Sequence, residues 1–347
     1  MKEVRIYALH PSCKDVESFI RYTKLFDLKD KYNFVWTDVN PKILIATEHI
    51  YTNPQYKKKF RELYNTSDIK VFFSGEACAT DFNIFDYGVG FDETNHNNDR
   101  YIQILPPFDF FYKFLPQREN EIKDISQAKE ILKDKNGFCN FLYSNPNAHP
   151  IRDFLFHAIS KYKKVDSLGR HLNNVGNKAT GYQGHAQDCI GIKNPYKFSI
   201  ASENARYLGY TSEKVFTSLA AHTIPIYWGD PNVTKIVNPK SIINYNDYET
   251  IEALIEVIKE IDNNDNIWAQ MISEPWQTPE QVEYCEKRKR DYIMFFDNLF
   301  DKDSGTLTRV PKGTFPNNYY RYFFNEKLPL MSRIRKNIGK IKKNLFG

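Results

Sequence analysis

The chain has 347 residues, 41% hydrophobic and 26% charged, which is typical of a globular protein with two domains of ordinary size. Its net charge of +5 is concentrated at one end: residues 326–347 carry seven Lys and Arg against one Glu, so the other residues carry about −1. A nearly neutral body excludes an extended basic surface for nucleic acid, and no run of about 18 apolar residues predicts a membrane span.

The cysteine spacing and the N-terminal residues indicate the cellular compartment of the protein. The five cysteines contain no C-x-x-C pair and fit neither a disulfide framework nor a zinc site, which favours a reducing compartment. The start, MKEVRIYALHPSC, lacks the apolar run of a signal peptide. We therefore expect a cytoplasmic protein.

Residues 1–125 alternate between strand-like and helix-like patterns. Strands are predicted at EVRIYALH, PKILIATEH and DIKVFFSGE, and helices at ESFIRYTKLFDLKDKY and YKKKFRELYN. This alternation predicts a parallel, doubly wound sheet. A polar stretch at residues 117–137 is predicted to be a helical connector, which places the end of the first domain near residue 125.

A second α/β pattern occupies residues 126–300. It predicts strands at FCNFLYSN, KFSIAS, TIPIYWG and KSIINY, helices at residues 151–161 and at ETIEALIEVIKEI, and an irregular segment over residues 169–196. Two doubly wound domains that face a cleft would bind a ligand outside the carboxyl ends of their strands. Residues 301–325 are predicted to be a return segment and residues 326–347 a basic tail.

The segment GYTSEK places Glu213 and Lys214 in the first turn of a predicted helix. A cation is unfavourable there for the helix alone, because the helix dipole puts partial positive charge at its N-terminus. A phosphate would satisfy both Lys214 and the free N–H groups, and would leave Glu213 to bind hydroxyls of a ribose or sugar. An ordinary solvated ion pair is the alternative interpretation.

Residues 198–247 resemble the signature region of the α-1,3-fucosyltransferases, in particular the bacterial Helicobacter type. The matching positions are Glu203, Asn204, Gly209, Tyr210, Glu213, Lys214, Thr223, Pro225 and Gly229. The motifs FFSGEACATDFNIFDYGVGFD and SNPNAHPIRDF extend the resemblance upstream, so that it covers roughly residues 70–290.

The resemblance implies an inverting glycosyltransferase with two Rossmann-like domains (the GT-B fold). Such an enzyme moves L-fucose from GDP-fucose to O3 of N-acetylglucosamine in a glycan acceptor such as lipopolysaccharide O-antigen. The acceptor would bind the first domain and the donor the second. The implied roles are a general base for Glu76, pyrophosphate binding for Arg152 and Lys214, and donor contacts for Asn204, Tyr210 and Glu213, with Glu203 and Gly169 as further donor-side positions.

The chemistry of these residue types agrees with those roles. Inversion needs a carboxylate that takes the proton of the attacking hydroxyl, and departing GDP needs cations. Because two cations could replace a metal, we expect neither a cofactor nor a metal. Asp301 and Asp303 form the only Asp-x-Asp and are predicted to lie in a solvated turn, while His149, His171, His185 and His222 lack ligand spacing.

Two positions depart from the family pattern. Ser202 replaces an aromatic residue and Ser212 replaces Thr, although Ser212 keeps the hydroxyl of a helix N-cap. A transferase of the same fold that uses another nucleotide sugar therefore stays open, as does a non-catalytic protein that binds glycans or nucleotides.

The tail has an apolar stripe, Leu330, Ile334, Ile338, Ile341 and Leu345, with Lys and Arg opposite. This pattern predicts a helix that binds an anionic membrane surface. The resemblance implies the same, as peripheral attachment to the cytoplasmic face of the inner membrane. The alternatives are a helix that folds back onto the body and a disordered basic end that binds nucleic acid non-specifically. The family's heptad repeats are missing, so the sequence does not indicate an oligomeric state.

Overall fold

A computed structural model describes residues 1–95, 98–104, 115–176, 186–310 and 314–324. The chain forms two compact units. The first contains Met1–Ser74, Ala79–Val89 and the described residues from Phe296 onward, and the second contains Gly75–Cys78 and Gly90–Phe295.

This division differs from the domain boundary that the sequence predicts near residue 125, which lies inside the second unit. Packing explains the difference. Ile122 and Ala128 belong to the apolar core of the second unit. Arg118 donates from Nη2 to the carbonyl oxygen of Ile272 at 2.8 Å, so the segment that was predicted as a connector is part of that unit.

The first unit consists of helices around one sheet. The strands of this sheet in the first unit are β1 Lys2–Leu9, β2 Tyr32–Trp36, β3 Ile43–Ala46, β4 Ile69–Phe73 and β5 Tyr87–Gly90, in the order β2-β1-β3-β4-β5. Strand β6, Tyr101–Gln103, belongs to the second unit. The helices of the first unit are α1 Val16–Thr23, α2 His49–Thr52, α3 Pro54–Leu63, α12 Ser304–Leu307 and α13 Thr314–Phe323. The pairs β1–β2, β1–β3, β3–β4 and β4–β5 are parallel.

The predicted strands at β1, β3 and β4 are confirmed. Strand β3, with the sequence ILIA, is a continuous buried apolar run, which is typical of a parallel strand covered on both faces. The predicted helix from Glu17 to Tyr32 ends early. Its C-cap, Lys24, adopts a left-handed conformation with φ of 59°, and Tyr32 begins a strand that the sequence analysis missed.

The second unit contains a sheet of five parallel strands in the order β11-β10-β9-β7-β8. They are β7 Gly137–Phe141, β8 Val165–Ser167, β9 Tyr196–Ser202, β10 Ile224–Trp228 and β11 Ile243–Asn244. The helices are α4 Leu115–Glu121, α5 Ile125–Lys133, α6 Ile151–Ser160, α7 Ala186–Lys193, α8 Glu213–Ala220, α9 Ile251–Asp262, α10 Asp265–Ser273 and the greater part of α11 Pro279–Asp301.

Most predicted elements of the second unit are present. In α9 the expected apolar face buries Leu254, Ile258 and Ile261. The predicted irregular segment at residues 169–196 is partly wrong, since α7 lies within it; its sequence, AQDCIGIK, has little helical apolar periodicity. The strand at KSIINY is shorter than predicted and consists of Ile243–Asn244.

The predicted α/β fold with two parallel-sheet domains is confirmed, and the return segment contains α12 and α13. The tail at residues 326–347 lies outside the described residues. Within the described ranges, no helix combines the length and the apolar character needed to cross a membrane.

Candidate active site

The polar residues of the candidate site follow three neighbouring strands of the second unit. Tyr143 lies just beyond β7, Glu203 and Asn204 follow β9, and Asp230 follows β10. Because these strands are parallel neighbours, their carboxyl ends lie along one edge of the sheet, where ligands bind in open α/β sheets.

Glu203 and Lys214 form a buried ion pair beside the N-terminus of α8. The Glu203 side chain is fully buried, and its Oε2 lies 3.3 Å from Lys214 Nζ. Its two oxygens also accept hydrogen bonds from the Ser212 backbone N–H at 2.8 Å and the Ser212 hydroxyl at 2.6 Å. Ser212 thus joins the carboxylate to the start of the helix.

Each charge of this pair stabilises the charged form of the other residue. Burial raises the pKa of Glu203 above its ordinary value, and Lys214 opposes that effect. Burial lowers the pKa of Lys214, but the carboxylates of Glu203 and Glu213 outweigh it and raise the pKa above its ordinary range. Lys214 therefore stays a cation at the helix N-terminus at neutral pH.

Ser212 occupies the N-cap position of α8, as predicted. The predicted capping by its side chain is wrong. Its hydroxyl donates to Glu203, and no side-chain capping bond is formed within the described structure. The hydroxyl oxygen accepts from Lys214 Nζ at 2.8 Å instead of from a backbone N–H of the first turn. The Ser212 side chain therefore does not cap the first N–H groups of α8.

Arg152, in the first turn of α6, is buried and held rigidly. Its Nη2 donates to Asn204 Oδ1 at 2.5 Å and to the Ser202 carbonyl oxygen at 3.3 Å. The guanidinium carbon lies 4.0 Å from the centroid of the Tyr143 ring. Its Nε has no hydrogen-bond partner among the described residues, so the side chain has a buried donor left to offer.

Tyr210 connects Glu76 to the loop before α8. Its hydroxyl donates to Glu76 Oε2 at 3.1 Å, and burial raises the Tyr210 pKa, which keeps the phenol protonated as the donor. The loop is fixed by Asp230, which accepts from the Gly209 N–H and the Thr211 hydroxyl, each at 2.9 Å. Gly209 has a φ of +84°, a conformation that favours glycine.

The predicted position of Glu76 at a strand end in the first domain is wrong. Strand β4 ends at Phe73, and Glu76 is exposed in the segment Gly75–Cys78, which packs with the second unit. The turn begins at Ser74, whose N–H donates to the Val89 carbonyl oxygen. Glu76 therefore lies on a loop beside Tyr210.

Glu213 and Gly169 complete the predicted set. The side chain of Glu213 is 48% exposed, with Oε1 3.4 Å from Lys214 Nζ. A Cβ at Gly169 would collide with the backbone of Tyr143, so this glycine lets the segment after β8 pass beside the end of β7. Its observed contribution is to packing around Tyr143.

The structure brings the predicted residues into three contacts: Glu76 with Tyr210, Arg152 with Asn204, and Lys214 with Glu203 and Glu213. Sequence reasoning missed Tyr143 and Asp230. Each lies within two residues of a strand that was predicted to end at the ligand-binding edge, and that position was the available signal. Across the described ranges, no group of three His, Cys, Asp or Glu side chains could hold a metal ion.

Two family models match the chain. Residues 132–299 match the C-terminal region of glycosyltransferase family 10 (fucosyltransferase), and residues 19–112 match the N-terminal domain of α-(1,3)-fucosyltransferase FucT. The chain belongs to the family 10 fucosyltransferases. Together the models include Glu76, Arg152, Asn204, Tyr210, Glu213 and Lys214.

A relative and two solved structures show the same similarity. The chain is 28% identical over 264 residues to α-(1,3)-fucosyltransferase FucT of Helicobacter pylori, a match that covers 68% of this chain and 53% of the relative. The chain thus spans about half the length of that relative.

Crystal structures of an α1,3-fucosyltransferase match with TM-scores of 0.68 without a named ligand and 0.63 with GDP-fucose, each at 24% identity. The first match covers 90% of this chain and 93% of the other, and the second covers 87% and 92%. These similarities support the fold, and the roles of individual residues rest on the geometry above.

Proposed function

We propose that this fucosyltransferase moves L-fucose from GDP-fucose to a hydroxyl of a glycan acceptor, with inversion at the sugar carbon. The arrangement of cations along one sheet edge carries this proposal. Arg152 keeps an unpartnered donor, Lys214 stays charged, and the N–H groups that begin α8 lack a side-chain cap within the described structure. All three favour a pyrophosphate.

The proposed donor contacts come from two cations and one carboxylate. Arg152 would bind one phosphate oxygen through Nε, and Lys214 would bind another as a point charge. Each charged hydrogen bond should contribute on the order of 1.5–3 kcal/mol to GDP binding. Glu213, with its exposed carboxylate, would accept hydrogen bonds from hydroxyls of the ribose or the fucose.

Glu76 would act as the general base. The acceptor oxygen attacks the anomeric carbon, its proton passes to Glu76, and the bond between that carbon and the phosphate oxygen breaks. The electron pair of this bond leaves with GDP, whose charge Arg152 and Lys214 stabilise. Tyr210 would orient the base through its hydrogen bond to Oε2.

The finer acceptor assignment comes from the sequence resemblance. The proposed acceptor is O3 of N-acetylglucosamine in a glycan such as lipopolysaccharide O-antigen. Linkage assays against acceptors with O3 or O4 blocked test this assignment, and transfer that persists after O3 is blocked contradicts it.

A donor panel tests the proposed nucleotide sugar. We expect GDP and GDP-fucose to raise the melting temperature, because a ligand that binds only the folded state stabilises it. UDP, CDP and their sugars should have much smaller effects at equal concentration. A larger shift with UDP-sugars would instead support the same-fold transferase with another donor, which the serine at position 202 left open.

Metal independence is a separate prediction. Because two protein cations would neutralise the pyrophosphate, we expect EDTA to leave GDP binding and fucose transfer within about twofold of the untreated protein. Activity that is lost in EDTA and restored by Mg²⁺ or Mn²⁺ would contradict this mechanism.

Membrane attachment is proposed from the sequence alone, since residues 326–347 lie outside the described part of the chain. We propose that the tail holds the protein on the cytoplasmic face of the inner membrane. Deletion of residues 326–347 should abolish co-sedimentation with anionic liposomes at low salt and leave transfer to a water-soluble acceptor unchanged. Neutral liposomes are the control, and equal co-sedimentation of the two proteins would refute the proposal.

A further inference from the structure

A row of five rings lies at the carboxyl ends of the strands in the first unit. The row consists of Phe73, Tyr22, His10, His49 and Tyr56. His10 follows β1, His49 lies shortly after β3, and Phe73 ends β4. These strands are parallel neighbours, so the row lies along the edge at which open α/β sheets bind ligands.

The rings of the row are in contact, and all of them except the buried Phe73 are partly exposed. His10 stacks on Tyr22 with centroids 4.0 Å apart and an angle of 24° between the planes. The His49 ring meets His10 edge-on at 5.0 Å. Tyr22, His10, His49 and Tyr56 all keep partial exposure, whereas a ring cluster that only filled a core would be covered.

The two histidines offer opposite hydrogen-bonding atoms. His10 Nδ1 accepts from the Ser12 backbone N–H at 3.1 Å, so its proton is on Nε2. Burial, with His49 nearby, lowers the pKa of His10 to about 4, which keeps the ring neutral at neutral pH. His10 therefore presents a donor.

Thr47 determines which ring nitrogen of His49 carries the proton. The Thr47 hydroxyl donates to the Leu9 carbonyl oxygen at 3.0 Å and so must accept from His49 Nδ1, also at 3.0 Å. In the neutral ring, Nε2 of His49 then carries the lone pair. The row presents one ring donor and one ring acceptor side by side.

Glu48 adds an unsatisfied acceptor to the row. Its Oε1 lies 3.6 Å from His49 Nδ1, while its Oε2 is buried without a hydrogen-bond partner in the described ranges. A buried carboxylate oxygen without a donor is costly, so this atom favours a ligand that brings an O–H or N–H group.

These features select a neutral polyhydroxylated ligand. A pyranose has C–H faces that pack on rings and hydroxyls that both donate and accept, which matches the donor of His10 and the acceptors of His49 and Glu48. The carboxyl group of Glu48 disfavours an anion such as a nucleotide phosphate. No metal-binding group of side chains occurs in the described part of the first unit.

We propose that Glu48, His10 and His49, together with the rings of Tyr22 and Tyr56, form a binding site for a neutral pyranose of the acceptor glycan. The assignment to the acceptor rests on the proposed fucosyltransferase activity, because the donor has its own cationic site in the second unit.

Steady-state kinetics with N-acetyllactosamine test the site. The variants are Glu48→Gln, which keeps the size of the side chain, and His10→Phe, which keeps the ring and removes the donor. Each should raise the acceptor KM about tenfold, the loss expected for one hydrogen bond. The KM for GDP-fucose and kcat should stay within about twofold. Controls are Glu62→Gln on α3, whose side chain is about half exposed, and His157→Phe on α6.

A binding measurement separates the site from the reaction. Saturation-transfer NMR should detect N-acetyllactosamine on the parent protein, and each variant should weaken the signal while GDP still raises the melting temperature. Unchanged acceptor KM and unchanged NMR signal in both variants would overturn the site. Absence of any fucose transfer by the parent protein would overturn the proposed activity alone, and the NMR result would still decide whether this row binds sugar.

Discussion

Glu76→Gln should lower fucose transfer by about 10²–10⁴-fold and leave GDP affinity unchanged within about twofold. The amide keeps the shape of the side chain and can still accept from the Tyr210 hydroxyl, which lies 3.1 Å from Glu76 Oε2. It cannot take the proton of the acceptor hydroxyl. The measurements are kcat with saturating substrates and the GDP dissociation constant of the same preparation.

A matched control separates loss of the base from a general effect of charge. Glu252→Gln removes an exposed carboxylate on α9 of the same unit and should leave transfer unchanged. Normal turnover by Glu76→Gln would remove Glu76 from the mechanism. A loss of GDP affinity equal to the loss of rate would assign Glu76 to donor binding instead.

Loss of either proposed pyrophosphate cation should weaken GDP binding by about 10–100-fold, the equivalent of 1.5–3 kcal/mol. Arg152→Lys keeps the charge but loses the planar fork that bonds Asn204 and Ser202, so it should recover only part of the affinity. Lys214→Met keeps the apolar stem and removes the ammonium group. Calorimetric titration with GDP measures each effect.

Lys214→Met has a second consequence that needs its own control. The variant leaves the Glu203 carboxylate buried without its cation, which should destabilise the fold by on the order of 3–5 kcal/mol. The double variant Glu203→Gln with Lys214→Met removes both charges and should recover most of the melting temperature without recovering GDP affinity. Recovery of both would show that Lys214 acts only on stability.

The sequence predicted those parts of the fold whose residues carry strong periodicity. Strand β10 is a continuous apolar run and α9 has an apolar face with helical spacing, so burial determines their structure. Strand β5 was missed because its sequence, YGVG, has two glycines and no alternation. The domain boundary was misplaced because a polar connector and a packed amphipathic helix share the same pattern at residues 117–137.

The sequence predicted which residues belong to the candidate site, but it did not predict which residues they contact. Glu213 and Lys214 were identified from their position at a helix start, yet the main partner of Lys214 is Glu203, which is brought beside it by the turn between β9 and α8. The same contact redirects the Ser212 hydroxyl away from capping. Glu76 was placed on a strand because IKVFF continues into small residues, and only the bond to Tyr210 shows where its carboxylate lies.

NMR analysis of the product formed from GDP-fucose and N-acetyllactosamine tests fucose transfer with inversion most directly. We expect one new fucosyl linkage to the acceptor, with the anomeric configuration opposite to that of the donor and one GDP released per linkage. GDP-fucose that is only hydrolysed, a product that retains the donor's configuration, or transfer from a UDP-sugar in its place would contradict this expectation.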